Sequence, residues 1–211
     1  VNALYFNGPW EKAFDPASTA EDVFKGRSGN QKVSMMSAKM KLNYAEYQGC
    51  QIAELPYAGG NYSMFVVLPP AGMDADAVLP YVSESAFDAA MGMLVQRDVR
   101  LKMPKFKLET SLILNEVLQD MGIRDAFSSA ADFKGISAMG PLRLDKVQQK
   151  CFFEVAEKGT EAAAVTSAQI RLTSVRPEGA PVEMKVDRPF FFFIADRNEM
   201  QILFAGKIVN L

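Results

Sequence analysis

The sequence has no histidine among its 211 residues. This absence excludes the Ser-His-Asp and Cys-His arrangements of nucleophilic hydrolases, and it also removes every histidine-based metal site. Carboxylate chemistry stays possible in principle, but no pair of acidic residues stands out from the charged surface positions. We therefore predict no catalytic residues, no metal site and no cofactor, which argues against an enzyme.

Cysteine and basic charge are also scarce. Cys50 and Cys151 lie far apart with no CxxC spacing, so we expect neither a disulfide framework nor a cysteine metal site, only two small buried hydrophobic residues. The formal net charge is −2, so nucleic acid is not an expected partner. The basic residues between Arg100 and Lys107 nearly alternate, which predicts the solvated face of a strand.

Long apolar runs are missing as well. The run at 190–194 is far shorter than the ~18 residues that a membrane span requires, so no membrane span is predicted. The chain opens on apolar, strand-like residues without a start methionine. We therefore expect its true N-terminus to be missing, and the lack of a signal peptide gives no information about secretion.

The pattern of apolar and turn residues predicts an α+β domain with mainly antiparallel strands and few helices. Strands are expected at 1–6, 51–56, 63–68, 100–108, 142–155, 182–186, 190–195 and 201–209. Residues 57–61 are expected to join two of them as a hairpin. Residues 15–31 are predicted to be polar and rich in turns, whereas 35–47 alternates loosely.

Two helices are predicted. The first opens with a capping box at Ser85 and carries Phe87, Met91 and Leu94 inward. The second has one apolar face, and Gly122 follows it as a C-cap. The residues of that face are Leu114, Val117, Leu118 and Met121.

Residues 159–173 differ from the rest of the chain because they are small and mostly uncharged. In a strand, one face would carry every second residue from Thr160 to Leu172, all small or apolar, while Glu161 and Arg171 would lie on the other face. The segment therefore fits a latent strand. From these residues alone a flexible linker is equally plausible, and an Ala-rich helix is disfavoured by the β-branched residues.

The flanking motifs decide between these interpretations. Residues 157–164 (EKGTEAAA) resemble the hinge motif of the serpin family, and 186–192 (VDRPFFF) resembles the signature downstream of its reactive loop. Further matches run in order along the chain, at 2–10 (NALYFNGPW), 55–57 (LPY), 121–123 (MGI) and 203–207 (LFAGK). The chain thus resembles the C-terminal half of a serpin.

The resemblance implies a serpin fold with an exposed reactive-centre loop at about 157–181. Residues 1–211 would be the C-terminal part of a single serpin domain, with the N-terminal half absent here and required as a partner. It also implies a suicide-substrate inhibitor. A serine protease attacks the loop, becomes acylated, and is trapped when the cut loop inserts as a new strand in the main sheet. An extracellular location is implied by the resemblance alone.

The resemblance also assigns individual roles. The hinge would consist of Glu157, Lys158, Gly159, Thr160, Ala162, Ala163 and Ala164. Asn2 and Trp10 would belong to the region where the sheet opens. The family spacing places the reactive bond at Thr173-Ser174, which suits an elastase-like or subtilisin-like protease. Arg171-Leu172 is the alternative and suits a trypsin-like protease.

An alternative function is a non-inhibitory serpin that acts as a binding or chaperone-like protein. Such members tend to carry bulky or charged residues in the hinge. The hinge here is small and free of proline, which favours inhibition.

Overall fold

The structure, a computed structural model, describes residues 1–82, 89–136, 142–160, 180–199 and 201–211. These residues form two compact units. The smaller contains Val1–Phe6 and Lys107–Glu154, and the larger contains Asn7–Phe106 and Val155–Leu211. Within the described ranges the strands are β1 (Asn2–Tyr5), β2 (Gly8–Pro9), β3 (Ala20–Gly26), β4 (Gly29–Tyr47), β5 (Cys50–Pro56), β6 (Tyr62–Leu68), β7 (Val95–Pro104), β8 (Phe106–Ile113), β9 (Gln148–Ala156), β10 (Gly159–Thr160), β11 (Val182–Lys185), β12 (Phe190–Asp196) and β13 (Ile202–Ile208).

Helical structure is sparse in the described ranges, as the pattern of apolar and turn residues predicts for this α+β chain. Helix α1 is Asn115–Asp120, and 3-10 segments lie at Pro16–Ser18, Ala75–Val82 and Asp125–Phe127. Residues 89–91 are also helical, and Met91 and Leu94 pack against the core as predicted. The predicted start of that helix at Ser85, and Phe87 within it, lie outside the described residues.

The larger unit is built on an eight-stranded sheet with the order β11-β7-β4-β5-β6-β12-β13, in which β3 also pairs with β4. The neighbouring strands are antiparallel except for β11 and β7, which run parallel. The hairpin predicted around 57–61 is confirmed, since β5 and β6 pair antiparallel on either side of it.

The prediction that residues 15–31 are mainly turns was wrong. β3 pairs antiparallel with the first part of β4, from Ala20↔Met35 to Gly26↔Gly29. In this hairpin only Phe24 and Met35 are buried, so the apolar alternation that identifies a strand is weak in the sequence. β4 then continues to Tyr47, so the loosely alternating stretch is part of one long strand.

The core of the larger unit packs around β12, whose residues Phe190 to Ala195 are all buried. Burial on both faces explains why this strand is a continuous apolar run. On one face, Phe106 lies edge-on to Phe190, with ring centroids 5.8 Å apart. The other face belongs to a cluster that contains Cys50, Ile52, Phe65, Val67, Ala75, Val78, Ala90, Phe191, Phe193 and Ala195.

In the smaller unit, β1 and β8 both pair with β9, and the β1 pairing is parallel. The predicted strand at 142–155 begins only at Gln148. Asn115 explains the difference, because its side chain donates to the Asp145 carbonyl and accepts from the Val147 amide, both at 2.8 Å. These bonds occupy backbone groups just before β9, where a sheet ladder would need them.

Helix α1 ends at Asp120, and Gly122 follows as the predicted C-terminal glycine. This residue has a φ of 99°, and the amides of Gly122 and Ile123 donate to the carbonyls of Gln119 and Leu118. That pair of bonds is a Schellman motif. Val117 and Met121 on the apolar face are 54% and 76% exposed within this chain.

The two cysteines are free thiols. Cys50 is buried in the core of the larger unit, whereas Cys151 is only half-buried. Burial raises the pKa of Cys50, as expected for a thiol that serves as a small hydrophobic residue.

Candidate functional site at the hinge

The structure describes part of the predicted site. Glu157, Lys158, Gly159 and Thr160 are described, and so is Trp10, which lies with them in the larger unit. Asn2 belongs to the smaller unit, where it pairs with Gln149. The remaining predicted residues lie outside the described ranges, namely Ala162, Ala163, Ala164, Arg171, Leu172, Thr173 and Ser174.

The hinge begins as a strand held on both sides. β10 pairs antiparallel with Val155–Ala156 at the end of β9, and antiparallel with β2 on its other edge. Gly159 and Thr160 are both buried. The chain therefore reverses direction at Glu157-Lys158 and enters a position between two strand ends.

Gly159 is required by this arrangement. Its φ of 147° is one that side chains with a Cβ rarely adopt. A Cβ would also lie 2.2 Å from the Gly8 carbonyl oxygen and 2.5 Å from the Pro9 Cα. No other residue fits here without moving β2.

Thr160 is fixed by an aromatic pair. Its hydroxyl oxygen lies 2.7 Å from the Tyr57 hydroxyl, and the bond is fully buried. Tyr57 stacks on Trp10 with ring centroids 4.6 Å apart and an interplanar angle of 13°. Burial raises the pKa of the Tyr57 phenol strongly, although the bond to Thr160 opposes that rise. The phenol is therefore neutral and able to donate or accept at physiological pH.

Trp10 ties the hinge to its neighbours through both side chain and backbone. The indole Nε1 donates to the Ala156 carbonyl at 3.0 Å, and the Trp10 amide donates to the Lys158 carbonyl at 2.9 Å. The Phe14 amide donates to the Glu157 carbonyl at 2.8 Å. Residues 10–14 thus run beside the reversal and satisfy its carbonyls.

The Glu157 side chain is the electrostatic centre of the hinge and is 13% exposed. It forms an ion pair with Lys105 Nζ at 2.9 Å and accepts a hydrogen bond from the Thr19 hydroxyl, also at 2.9 Å. Burial pushes the pKa of Glu157 upward, but hydrogen bonds from Lys105, its own amide and Thr19 outweigh it, and the net pKa is lowered. The carboxylate is therefore ionised at neutral pH.

Three residues that contact the predicted hinge were not predicted from the sequence, namely Tyr57, Lys105 and Thr19. Tyr57 was assigned only to a hairpin turn, and Lys105 only to a solvated strand face. Thr160 and Tyr57 are 103 positions apart, and Glu157 and Thr19 are 138 positions apart. No local pattern marks contacts over such separations.

The segment that follows the predicted reactive loop is also anchored. Asp187 is 7% exposed and forms ion pairs at 3.2 Å with Lys25 and with its neighbour Arg188. Arg188 Nε donates to the Pro69 carbonyl at 2.9 Å. These contacts fix the chain between β11 and β12, so both ends of the loop are held in the larger unit.

In the described part of the chain, no three histidine, cysteine, aspartate or glutamate residues are grouped so that they could hold a metal ion. The helices described there are all too short or too polar to span a membrane. The described residues thus define a sheet-rich protein in which Gly159–Thr160 form a short strand between β2 and the end of β9.

Comparison with known proteins places this class in one family. A sequence model described as "Serpin (serine protease inhibitor)" matches residues 1–211. Iripin-3 from Ixodes ricinus is 38% identical over 214 residues, which cover 100% of this chain and 54% of the relative. The chain therefore belongs to the serpin family, and it spans about half the length of the curated relatives that it matches.

Solved serpin structures match the fold equally well. The native state of the thermophilic serpin tengpin superposes with a TM-score of 0.85 at 32% identity, covering 99% of this chain and 54% of that one. Mouse protein-Z dependent protease inhibitor gives a TM-score of 0.82 at 33% identity, with 99% and 54% covered. The predicted serpin fold is thereby confirmed.

Proposed function

We propose that this chain acts as the C-terminal part of a single serpin domain and inhibits a serine protease as a suicide substrate. The observation that carries the proposal is β10, because the hinge already begins a strand between β2 and the end of β9. Loop insertion requires such a start. Membership of a family whose name describes serine protease inhibitors supports the same function.

The direction of β10 defines the path of insertion. β10 runs antiparallel to β9, so residues from Glu161 onward would extend along β9 toward Gln148. Along that stretch β9 now pairs with β1, from Asn2↔Gln149 to Tyr5↔Phe152. Insertion therefore requires β1 to separate from β9, after which the new strand can bond to both.

The alternation of the loop fits this path. Thr160 is fully buried, so the residues that share its strand face would also point inward. These residues are Ala162, Ala164, Thr166, Ala168, Ile170 and Leu172, none of which is charged. At about 1 kcal/mol per net hydrogen bond, a strand of a dozen residues gains on the order of 10 kcal/mol.

The proposed reactive bond is Thr173-Ser174, which suits elastase-like or subtilisin-like proteases with a small pocket for the substrate side chain. Arg171-Leu172 is the alternative bond and suits a trypsin-like protease. We also propose that the protein is secreted. It should then be detected in the culture medium and not in the cell extract.

The test is to mix the longest polypeptide that contains this chain with elastase, subtilisin and trypsin, and to separate the products on denaturing gels. We expect an SDS-stable complex with at least one protease, and cleavage of the loop should raise Tm markedly. Mass spectrometry of the released C-terminal peptide identifies the bond. Clean cleavage without a complex, and without a rise in Tm, would instead support the non-inhibitory alternative.

Two neighbouring substitutions provide a matched control. Ala162→Arg places a charge on the inward face of the inserted strand, and we expect it to convert the inhibitor into a substrate. Ala163→Arg adds the same side chain to the outward face and should leave complex formation nearly intact. Equal behaviour of the two variants would contradict the proposed register of insertion.

A further inference from the structure

The strand after the reactive loop belongs to an exposed face with a marked excess of positive charge. On β11, β7 and β4 this face, which we name the cationic face, carries Lys185, Lys102, Arg100, Lys39 and Lys41, together with the acidic residues Glu183 and Asp98. The opposite sides of the same strands are apolar and buried, as Val99, Leu101 and Met184 show. Five cations against two anions contrast with a net charge of −2 for the whole chain.

Two like-charged pairs lie directly across neighbouring strands. Lys39 is the register partner of Arg100, and Lys102 is the register partner of Lys185. Like charges directly opposite each other on neighbouring strands destabilise a sheet. The fold alone therefore gives no reason to keep four cations in this arrangement.

Nearby carboxylates relieve only part of the repulsion. Arg100 pairs with Glu183 at 2.7 Å, and Lys185 pairs with Asp22 at 2.9 Å. Within the described residues, Lys39 and Lys102 form no salt bridge, and Lys39 is exposed. The pKa of Asp22 is lowered mainly by the hydrogen bond from Lys185, its ion-pair partner, and to a smaller degree by the charge of Lys102. Neither Lys39 nor Lys102 therefore has an ion-pair partner of its own in the part of the chain that the structure describes.

The position of the face identifies that partner. β11 begins at Val182, directly after the segment that carries both candidate reactive bonds. A protease engaged on that segment must approach the strand to which it is joined. Complementary charge near a binding site raises association rates by about 10- to 1,000-fold at low salt.

We propose that the cationic face is a docking surface for an acidic patch on the protease that attacks the reactive loop. The inference rests on one part of the proposed function, namely that a protease attacks the loop. It assigns to Lys39 and Lys102 a role in the rate of encounter, separate from the trapping step.

Anionic and cationic trypsin test the proposal because they share specificity for Arg171 but differ in charge. The measurement is the rate constant for total loop attack, the sum of trapped complex and cleaved protein, at low salt and at 0.5 M salt. We expect anionic trypsin to react at least about tenfold faster at low salt, with the difference largely lost at high salt. The double variant Lys39→Glu, Lys102→Glu should abolish or reverse the preference.

The control is Lys134→Glu, Lys146→Glu, which changes the net charge equally at two exposed lysines outside the cationic face and away from the hinge. It should keep the wild-type preference. Because the test variant replaces like-charged pairs with opposite ones, it should be at least as stable as wild type. If both double variants behave alike, the proposal is overturned.

A second result would also overturn the proposal. If the wild type binds a sulfated polysaccharide, the test variant does not, and the trypsin preference is the same in both, the cationic face is a binding site for a polyanion. Failure of the proposed function gives a different result. No complex would form with either trypsin, whereas the rates of loop cleavage would still report on the cationic face.

Discussion

Replacing Glu157 by glutamine removes the charge at the centre of the hinge but keeps its shape. The carboxylate is 13% exposed and faces Lys105 Nζ at 2.9 Å, while the Thr19 hydroxyl donates to its other oxygen. The amide oxygen of glutamine can still accept from Thr19. The variant therefore keeps the Thr19 bond but removes both the charge and the acceptor oxygen that face Lys105.

The size of the effect follows from burial. A hydrogen bond to a charged group contributes about 1.5–3 kcal/mol, and the 39% exposure of Lys105 reduces this toward the lower end. We expect Glu157→Gln to lower the free energy of unfolding by about 1–2 kcal/mol. For a domain of this size that corresponds to a drop in Tm of about 2–8 °C.

The effect should also depend on pH in a defined direction. The folded pKa of Glu157 lies below its unfolded value of about 4.3, so the stabilisation is complete above that pH and is lost as the pH falls through the folded pKa. Melting curves followed by circular dichroism should therefore show wild type and variant converging in acid. They should differ by a constant amount between pH 6 and 8.

Glu109→Gln is the matched control. Glu109 pairs with Lys107 at 3.1 Å, but both side chains are more than half exposed. Loss of this ion pair should lower the free energy of unfolding by less than about 0.5 kcal/mol. If the two variants lower Tm equally, or if the difference at Glu157 does not shrink as the pH is lowered into the acid range, the electrostatic account of the hinge is refuted.

Two further substitutions test the same site. Gly159→Ala should destabilise the protein by at least about 3 kcal/mol in urea titrations, because its Cβ would overlap the Gly8 carbonyl; a loss below 1 kcal/mol would contradict the tight approach of β2. Tyr57→Phe should cost about 1–3 kcal/mol by leaving the buried Thr160 hydroxyl unpaired, and adding Thr160→Val should recover part of that loss. Additive costs in this double-mutant cycle would argue against the bond.

Local patterns were sufficient to predict several elements. The β5–β6 hairpin combines two apolar runs with a glycine-rich turn, and the continuous apolar run of β12 reflects burial on both faces. The Schellman motif at Gly122 is likewise determined by residues close in sequence. Elements whose geometry depends on neighbouring residues can be inferred from their sequence.

Elements that depend on distant contacts were missed. The β3–β4 hairpin buries little on its own, so its residues look like a polar turn region. The start of β9 is set by Asn115, more than thirty positions away. At the hinge, Gly159 could be inferred from the motif, but its partners Tyr57, Thr19 and Lys105 come from other parts of the larger unit.

The stacked pair at the hinge has a spectroscopic consequence. Trp10 is the only tryptophan of this chain, so indole fluorescence from these 211 residues arises from a single position. Its ring lies on Tyr57 and its Nε1 donates to Ala156, beside the point where β10 begins. A displacement of β10 relative to Tyr57 would alter the surroundings of that indole, so within this chain Trp10 is an intrinsic fluorescent probe of the hinge that needs no label.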